Sequence, residues 1–205
     1  WNTSKVTRFA YMFAGTGYSA STWYVGKLSN WDTSKISSTS IGSSTGIRGM
    51  FRQAGYRANS IELDLSKWDM SHVTHPHQMF YEFGMYSRSV TLGDLSKWDT
   101  SSFTSMEFLF TKCGTYSTSM DIGNIDNWNT SNVTSMHGTF NGLGGYSTSW
   151  NIGDLSTKTV TKEDGTTYTA WDVSKVTTME YTFAVTGSNA AVWSVGDISN
   201  WDVSS

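Results

Sequence analysis

Residues Trp128 to Ser156 read WNTSNVTSMHGTFNGLGGYSTSWNIGDLS, and almost every other part of the chain is a variant of this stretch. Aligning on its opening tryptophan gives Trp1, Trp31, Trp68, Trp98, Trp128, Trp171 and Trp201, so the steps are 30, 37, 30, 30, 43 and 30 residues. The chain is a tandem array, and its two longer steps are the same unit with an added segment. The period points to a repeat solenoid, one domain over 1–205 with units 1–30, 31–67, 68–97, 98–127, 128–170 and 171–200 and the start of a seventh at 201–205.

Within the unit the apolar slots are Trp128, Val133, Met136 and Phe140, then Trp150, Ile152 and Leu155. The three-and-four spacing of Val133, Met136 and Phe140 is that of one face of a short helix, whereas Trp150 and Ile152 alternate as a strand does. Each unit therefore predicts a short parallel strand, a tight corner and a short helical or 3-10 turn, about 30 residues per coil. Its expected core is the tryptophan row Trp31, Trp68, Trp98, Trp128 and Trp171 together with Val133, Met136 and Phe140.

Asp or Asn after each tryptophan, with Ser two residues on (Asp32 and Ser34, Asp99 and Ser101, Asn129 and Ser131), fits side chains that accept nearby backbone N–H groups. Gly17, Gly84, Gly114, Gly144 and Gly187 recur where a positive φ would close the turn segment.

The segments WDTSKI, WNTSNVTSM and LGDLSKWD resemble the BspA-like leucine-rich-repeat surface proteins of bacteria, whose repeat has the form W-D-T-S-x-V-T-x-M. The resemblance covers essentially the whole chain. It implies a leucine-rich-repeat-like, right-handed parallel solenoid on an extracellular protein, often an adhesin. The G-x-Y-S-x-S segment, as in GTYSTS and GGYSTS, departs from that pattern by lengthening each unit.

Composition agrees with a polar exterior. Charged residues are 15% of the 205, against an average of about 25%, and Ser and Thr take their place. A net charge of −3 gives no basic footprint for nucleic acid. No stretch approaches the ~20 apolar residues of a membrane-spanning helix, so no membrane insertion is expected within this chain. The lone Cys113 excludes an intrachain disulfide framework and reads as a packed small side chain. The unit boundaries at both ends leave coils without caps, which suggests either a longer array or self-assembly through the ends.

The two added segments read differently. SSTSIGSSTGIR, 37–48, is an expected surface loop. KTVTKEDGTTYTA, 158–170, alternates around Asp164-Gly165 and predicts a projecting β-hairpin.

Catalytic and metal chemistry find little footing. His72, His75 and His77 cluster in sequence but lack Cys or acidic companions and read as surface histidines. Asp94, Asp154 and Asp197 share a slot that holds Lys27 and Asn124 in other units, which argues against a calcium ladder and for turn caps. The threonine rows are interrupted by Met70 and Val173, which breaks a regular crystal-matching face. Asn2, Asn129 and Asn132 lie in Asn-x-Ser/Thr sequences that would accept glycans in a suitable secretion pathway. No nucleophile elbow, phosphate loop or zinc spacing occurs. The expectation is a protein without catalytic, cofactor-binding or metal-binding residues.

The candidate contact surface is the tyrosine row Tyr86, Tyr116 and Tyr146, with Lys162, Asp164 and Tyr168 of the hairpin. The expected function is a non-enzymatic extracellular, cell-surface or secreted scaffold making multivalent contacts with a host or neighbouring-cell protein or glycan. The alternative is a structural subunit of a filament or surface layer, a homopolymer joined through uncapped ends.

Overall fold

The structure, a computed structural model, describes residues 1–37, 46–148, 150 and 152–205. The expected Asx corners are present throughout. In each, the oxygen of Asp32, Asp69, Asp99, Asn129 or Asp172 accepts the amide N–H of the Ser two residues on, at 2.9–3.1 Å. A second set, Asp64, Asp94, Asp154 and Asp197, does the same for Ser66, Ser96, Ser156 and Ser199. The serine hydroxyl first, and then its amide, hold the carboxyl of Asp32 and that of Asp154 below the ordinary aspartate range.

Between corners, aromatic rings of equivalent slots lie against one another. Phe51, Phe80, Phe110, Phe140 and Phe183 form a column with centroid separations of 5.7, 5.4, 5.8 and 5.6 Å and nearly parallel planes. Trp31 stacks on Trp68, Trp98 on Trp128 and Trp128 on Trp171. These tryptophans, with Val133, Met136 and Phe140, are buried as the sequence predicts. Where a threonine follows the Asx, at Thr3, Thr33, Thr100 and Thr130, it is buried too. The hydroxyls of Thr3, Thr100 and Thr130 donate to backbone oxygens of Asp32, Asn129 and Asp172, one unit on, so this row clasps neighbouring units rather than facing solvent.

Three short strands share one parallel sheet. β1 (Ser60–Glu62), β2 (Ser89–Thr91) and β3 (Ser119–Asp121) pair in the order β1-β2-β3, with Ile61 beside Val90 and Val90 beside Met120. Those three side chains point into the core while their flanking residues face outward. A separate antiparallel sheet holds β4 (Lys158–Thr161) and β5 (Thr167–Ala170), the hairpin that alternation around Asp164-Gly165 predicts.

The expected leucine-rich-repeat-like solenoid is not what this chain forms. It is a small β-rich domain with few strands in two separate sheets, and among the described residues it contains no α-helix and a single 3-10 turn, Leu28–Asn30. The equivalent slots around Trp23 and Val25, and around Trp193 and Val195, form no strand.

The predicted helical segment fails for a definite reason. Gly138, Gly142 and Gly144 have φ of 61, 67 and 51°, and left-handed residues interrupt any right-handed helix. Successive β-turns take its place. The Tyr81 amide donates back to Gln78 O and Phe83 to Phe80 O, while Phe80 and Glu82 donate to Leu109 and Thr111 of the next unit. Alternate amides thus close a local turn or bridge two units, and Val133, Met136 and Phe140 are buried without any helical face. At Gly144 a Cβ would lie 2.6 Å from Cε2 of Trp150, which explains glycine in that slot. Most of the expected 37–48 loop falls outside the described residues.

Candidate contact surfaces

Equivalent slots in adjoining units place the predicted tyrosines in line. The amides of Tyr86, Tyr116 and Tyr146 donate to Tyr56 O, Met85 O and Thr115 O one unit back, at 2.7–2.9 Å. Their rings stack, Tyr86 on Tyr116 at 4.5 Å and Tyr116 on Tyr146 at 4.7 Å, with planes within 19°. Two tyrosines extend the row. Tyr18 and Tyr56 each sit one position early in their units and pair at 4.3 Å, and the offset shows as a 56° tilt between Tyr56 and Tyr86. Arg57 lies over Tyr86, 5.1 Å from its centroid. Burial, and then the bond that its own hydroxyl donates to Tyr18, push the Tyr56 hydroxyl above its ordinary pKa. Because the faces of Tyr116 are covered by its neighbours, the row offers a partner ring edges and hydroxyls. Tyr86, Tyr116 and Tyr146 remain 41–48% exposed.

The hairpin does not stand free. The Tyr168 hydroxyl donates to Asn127 O at 2.6 Å, and Lys162 Nζ lies 3.5 Å from Asp99 Oδ2 and 5.7 Å from the Tyr168 ring centroid. Asp164 closes the turn by accepting the amide and hydroxyl of Thr166. Burial works against the Asp99 carboxylate, yet Ser101 and Lys162 hold its pKa below the ordinary value. Between the hairpin and the segments around Asp99 and Asn127 lies a cleft of about 500 Å³, walled by Trp98, Asn129, Lys162 and Tyr168. The three predicted hairpin residues therefore belong to one site: Lys162, Asp164 and Tyr168 all line it.

A third feature has no counterpart in the sequence expectations. The slot following the buried Met or its equivalent carries Arg48, His77, Glu107, His137 and Glu180, set side by side as their neighbours Gly49, Gln78, Phe108 and Gly138 donate to the carbonyl of the next residue in the row. His77 Nδ1 is 3.6 Å from Glu107 and His137 Nδ1 is 3.7 Å from Glu180. Arg48, His77 and Glu107 border a pocket of about 250 Å³ with Thr104, Thr134 and Ser135. Burial, followed by the Arg48 charge, pushes His77 down to about 4 despite the pull of Glu107, so its imidazole is neutral at pH 7. Charged or imidazole side chains recurring in a single slot, Arg48, His77, Glu107, His137 and Glu180, are the sequence signal for this row.

The remaining sequence candidates disperse. His72 is exposed while His75 and His77 line the pocket, and among the described residues no group of three His, Cys, Asp or Glu side chains is placed to hold a metal ion. The Asn129 side-chain oxygen accepts from Ser131, and Asn132 Nδ2 donates to Ser101 O at 2.9 Å. Cys113 is fully buried, and burial raises its thiol pKa.

A family profile described as "Mycoplasma protein of unknown function, DUF285" matches three overlapping spans, residues 1–121, 45–169 and 83–204. No curated protein and no solved structure matches the chain.

Proposed function

We propose, for a chain that belongs to the DUF285 family of proteins of unknown function, a non-enzymatic role outside the cell as an interaction scaffold for a protein or glycan. One observation carries the reading. Phe140 and Phe183 stack at 5.6 Å across the 43-residue step, between the 5.4 and 5.8 Å of two 30-residue steps, so the phenylalanine column keeps its spacing whether or not a hairpin intervenes. The hairpin nevertheless folds back through Lys162 and Tyr168 to wall a polar and aromatic cleft. Segments inserted between units without changing their stacking, and that form a shaped recess, are where contact functions concentrate. The adjacent units supply repeated hydroxyls and tyrosine edges at fixed spacing, on which weak contacts act together. The resemblance to BspA-like surface proteins supports an extracellular, cell-surface or secreted setting.

The test compares saturable binding of the chain to cultured animal cells and to an immobilised glycan panel before and after excision of residues 158–170. Loss of binding with the fold retained is the expected result. Equal binding by both proteins would remove the hairpin from the function, and concentration-dependent particles without any ligand would favour self-assembly instead.

A further inference from the structure

The pocket bordered by Arg48, His77 and Glu107 shares no lining residue with the hairpin cleft and has a distinctive hydrogen-bonding balance. Three of its hydroxyls commit their protons inside the protein: Thr104 donates to Thr74 O and lies 3.2 Å from His75 Nε2, Thr134 donates to Thr104 O, and Ser135 to Glu107 Oε1 at 2.8 Å; the Ser105 oxygen accepts the Glu107 amide. Each hydroxyl oxygen is left with lone pairs, and the Glu107 carboxylate adds more acceptors. The wall is therefore rich in acceptors and asks for a ligand with several O–H donors. The permanent cation is Arg48. Its Nε donates to the Tyr11 hydroxyl at 2.9 Å, and among the described residues no carboxylate pairs with its guanidinium. A guanidinium in that state is a fork for a carboxylate.

We propose that this pocket binds a carboxylated sugar ring, with the carboxylate on Arg48 and the ring hydroxyls donating to Thr104, Thr134, Ser135 and Glu107. The size agrees: about 250 Å³ lies below the ~300 Å³ at which pockets for drug-sized ligands begin, and holds one ring. Inorganic phosphate and sulfate match the site poorly, because they bring acceptors to a wall of acceptors. A neutral hexose matches the wall and leaves Arg48 without a counter-charge. The neutral His77 imidazole adds no second cation.

The experiment titrates the whole chain with sodium glucuronate, sodium N-acetylneuraminate, glucose and phosphate, following binding by calorimetry and by amide chemical shifts. One or both sugar acids bind saturably, glucose and phosphate bind about ten-fold more weakly or not at all, and Arg48→Gln weakens the sugar acid about ten-fold or more. Arg48→Lys keeps the charge and loses the fork, so it recovers part of the affinity, which separates a lost contact from a lost fold. Excision of 158–170 leaves this binding unchanged, so the pocket and the hairpin fail or succeed separately. Equal affinity for glucose and glucuronate, phosphate binding as tightly as the sugar acids, no saturable shift with either sugar acid, or an Arg48→Gln variant that binds as well as the parent would each overturn the assignment.

Discussion

The indole N–H of Trp98 donates to the backbone oxygen of Leu65, one unit back, at 2.9 Å. The same oxygen accepts the amide N–H of Trp68 at 3.1 Å, and the pattern recurs where Trp128 reaches Leu95 and Trp171 reaches Ile125. Each tryptophan is thus a core ring and a polar rivet between units. Trp98→Phe keeps the ring and leaves Leu65 O still bonded to Trp68. It should cost about 1 kcal/mol, the net value of an ordinary hydrogen bond. Trp98→Ala opens a cavity as well and should cost about 3–5 kcal/mol. Denaturant unfolding of the two variants separates the terms: no loss in Trp98→Phe would mean that the indole bond contributes nothing, and equal losses in both would mean that the ring's packing adds nothing.

Val185 is a β-branched residue at φ 58°, 60% exposed, in the slot that Gly142 and Gly15 occupy in other units. The left-handed conformation costs an L-residue about 1–2 kcal/mol, and asparagine tolerates it better. Val185→Asn should raise stability by about 1 kcal/mol. Gly144→Ala should lower it by about 1–3 kcal/mol, because the new methyl meets the Trp150 ring at 2.6 Å. Opposite shifts in melting temperature are the expected readout.

Excising residues 158–170 rejoins Thr157 to Trp171 in the pattern of the regular units. The excision removes the buried Ala170, the Val160 and Tyr168 side chains packed on the core, a surface ion pair of small value and the Tyr168 bond to Asn127, and it frees Trp171 from its φ of 49°. The lost packing outweighs the relief of backbone strain, so unfolding free energy should fall by about 1–3 kcal/mol with the remaining units still folded. A collapsed near-ultraviolet circular dichroism spectrum would show that the units cannot pack without the hairpin.

His77 titrates at about 4 in the fold against 6.5 for the free side chain. The unfolded chain then binds the extra proton between those values, so stability rises with pH from about 4 to 6.5 and is lost on acidification through that window. His77→Gln should flatten the slope there. The Ser-bonded carboxylates, Asp64 and Asp154 among them, have lowered pKa values and act in another window: their contribution is full above 3.8 and falls as pH drops through their folded values. A His77→Gln protein with an unchanged slope between pH 4 and 6.5 would place the titration elsewhere.

Cys113 is fully buried with its thiol pKa raised, so maleimide should label it only as fast as the chain unfolds. Mass spectrometry at increasing denaturant gives the comparison, and rapid labelling in native buffer would contradict its placement.

The parts of this fold legible in the sequence are those where one residue type has one local task. Asp or Asn followed by Ser marks the corners, Trp and Phe mark the buried columns, and Asp164-Gly165 marks the hairpin turn. The helical reading of Val133, Met136 and Phe140 failed because a three-and-four spacing also suits successive β-turns, and the deciding left-handed residues are not all glycine. Gln53, Glu82 and Lys112 share that conformation with Gly142. The Arg48, His77 and Glu107 pocket was hidden for a different reason: its residues are 29 and 30 positions apart and become a group only when the units are laid side by side.

The interchangeability of the units also sets a hazard during folding. Trp98–Asn127 and Trp128–Thr157 carry the same aromatic, hydroxyl and glycine slots, so a chain that docks one in the other's place meets familiar partners and stalls out of frame. The 43-residue step breaks that degeneracy, because a unit trailing a hairpin cannot be mistaken for one without it. Sequence irregularity in this protein is an address: it tells each segment which neighbour is its own.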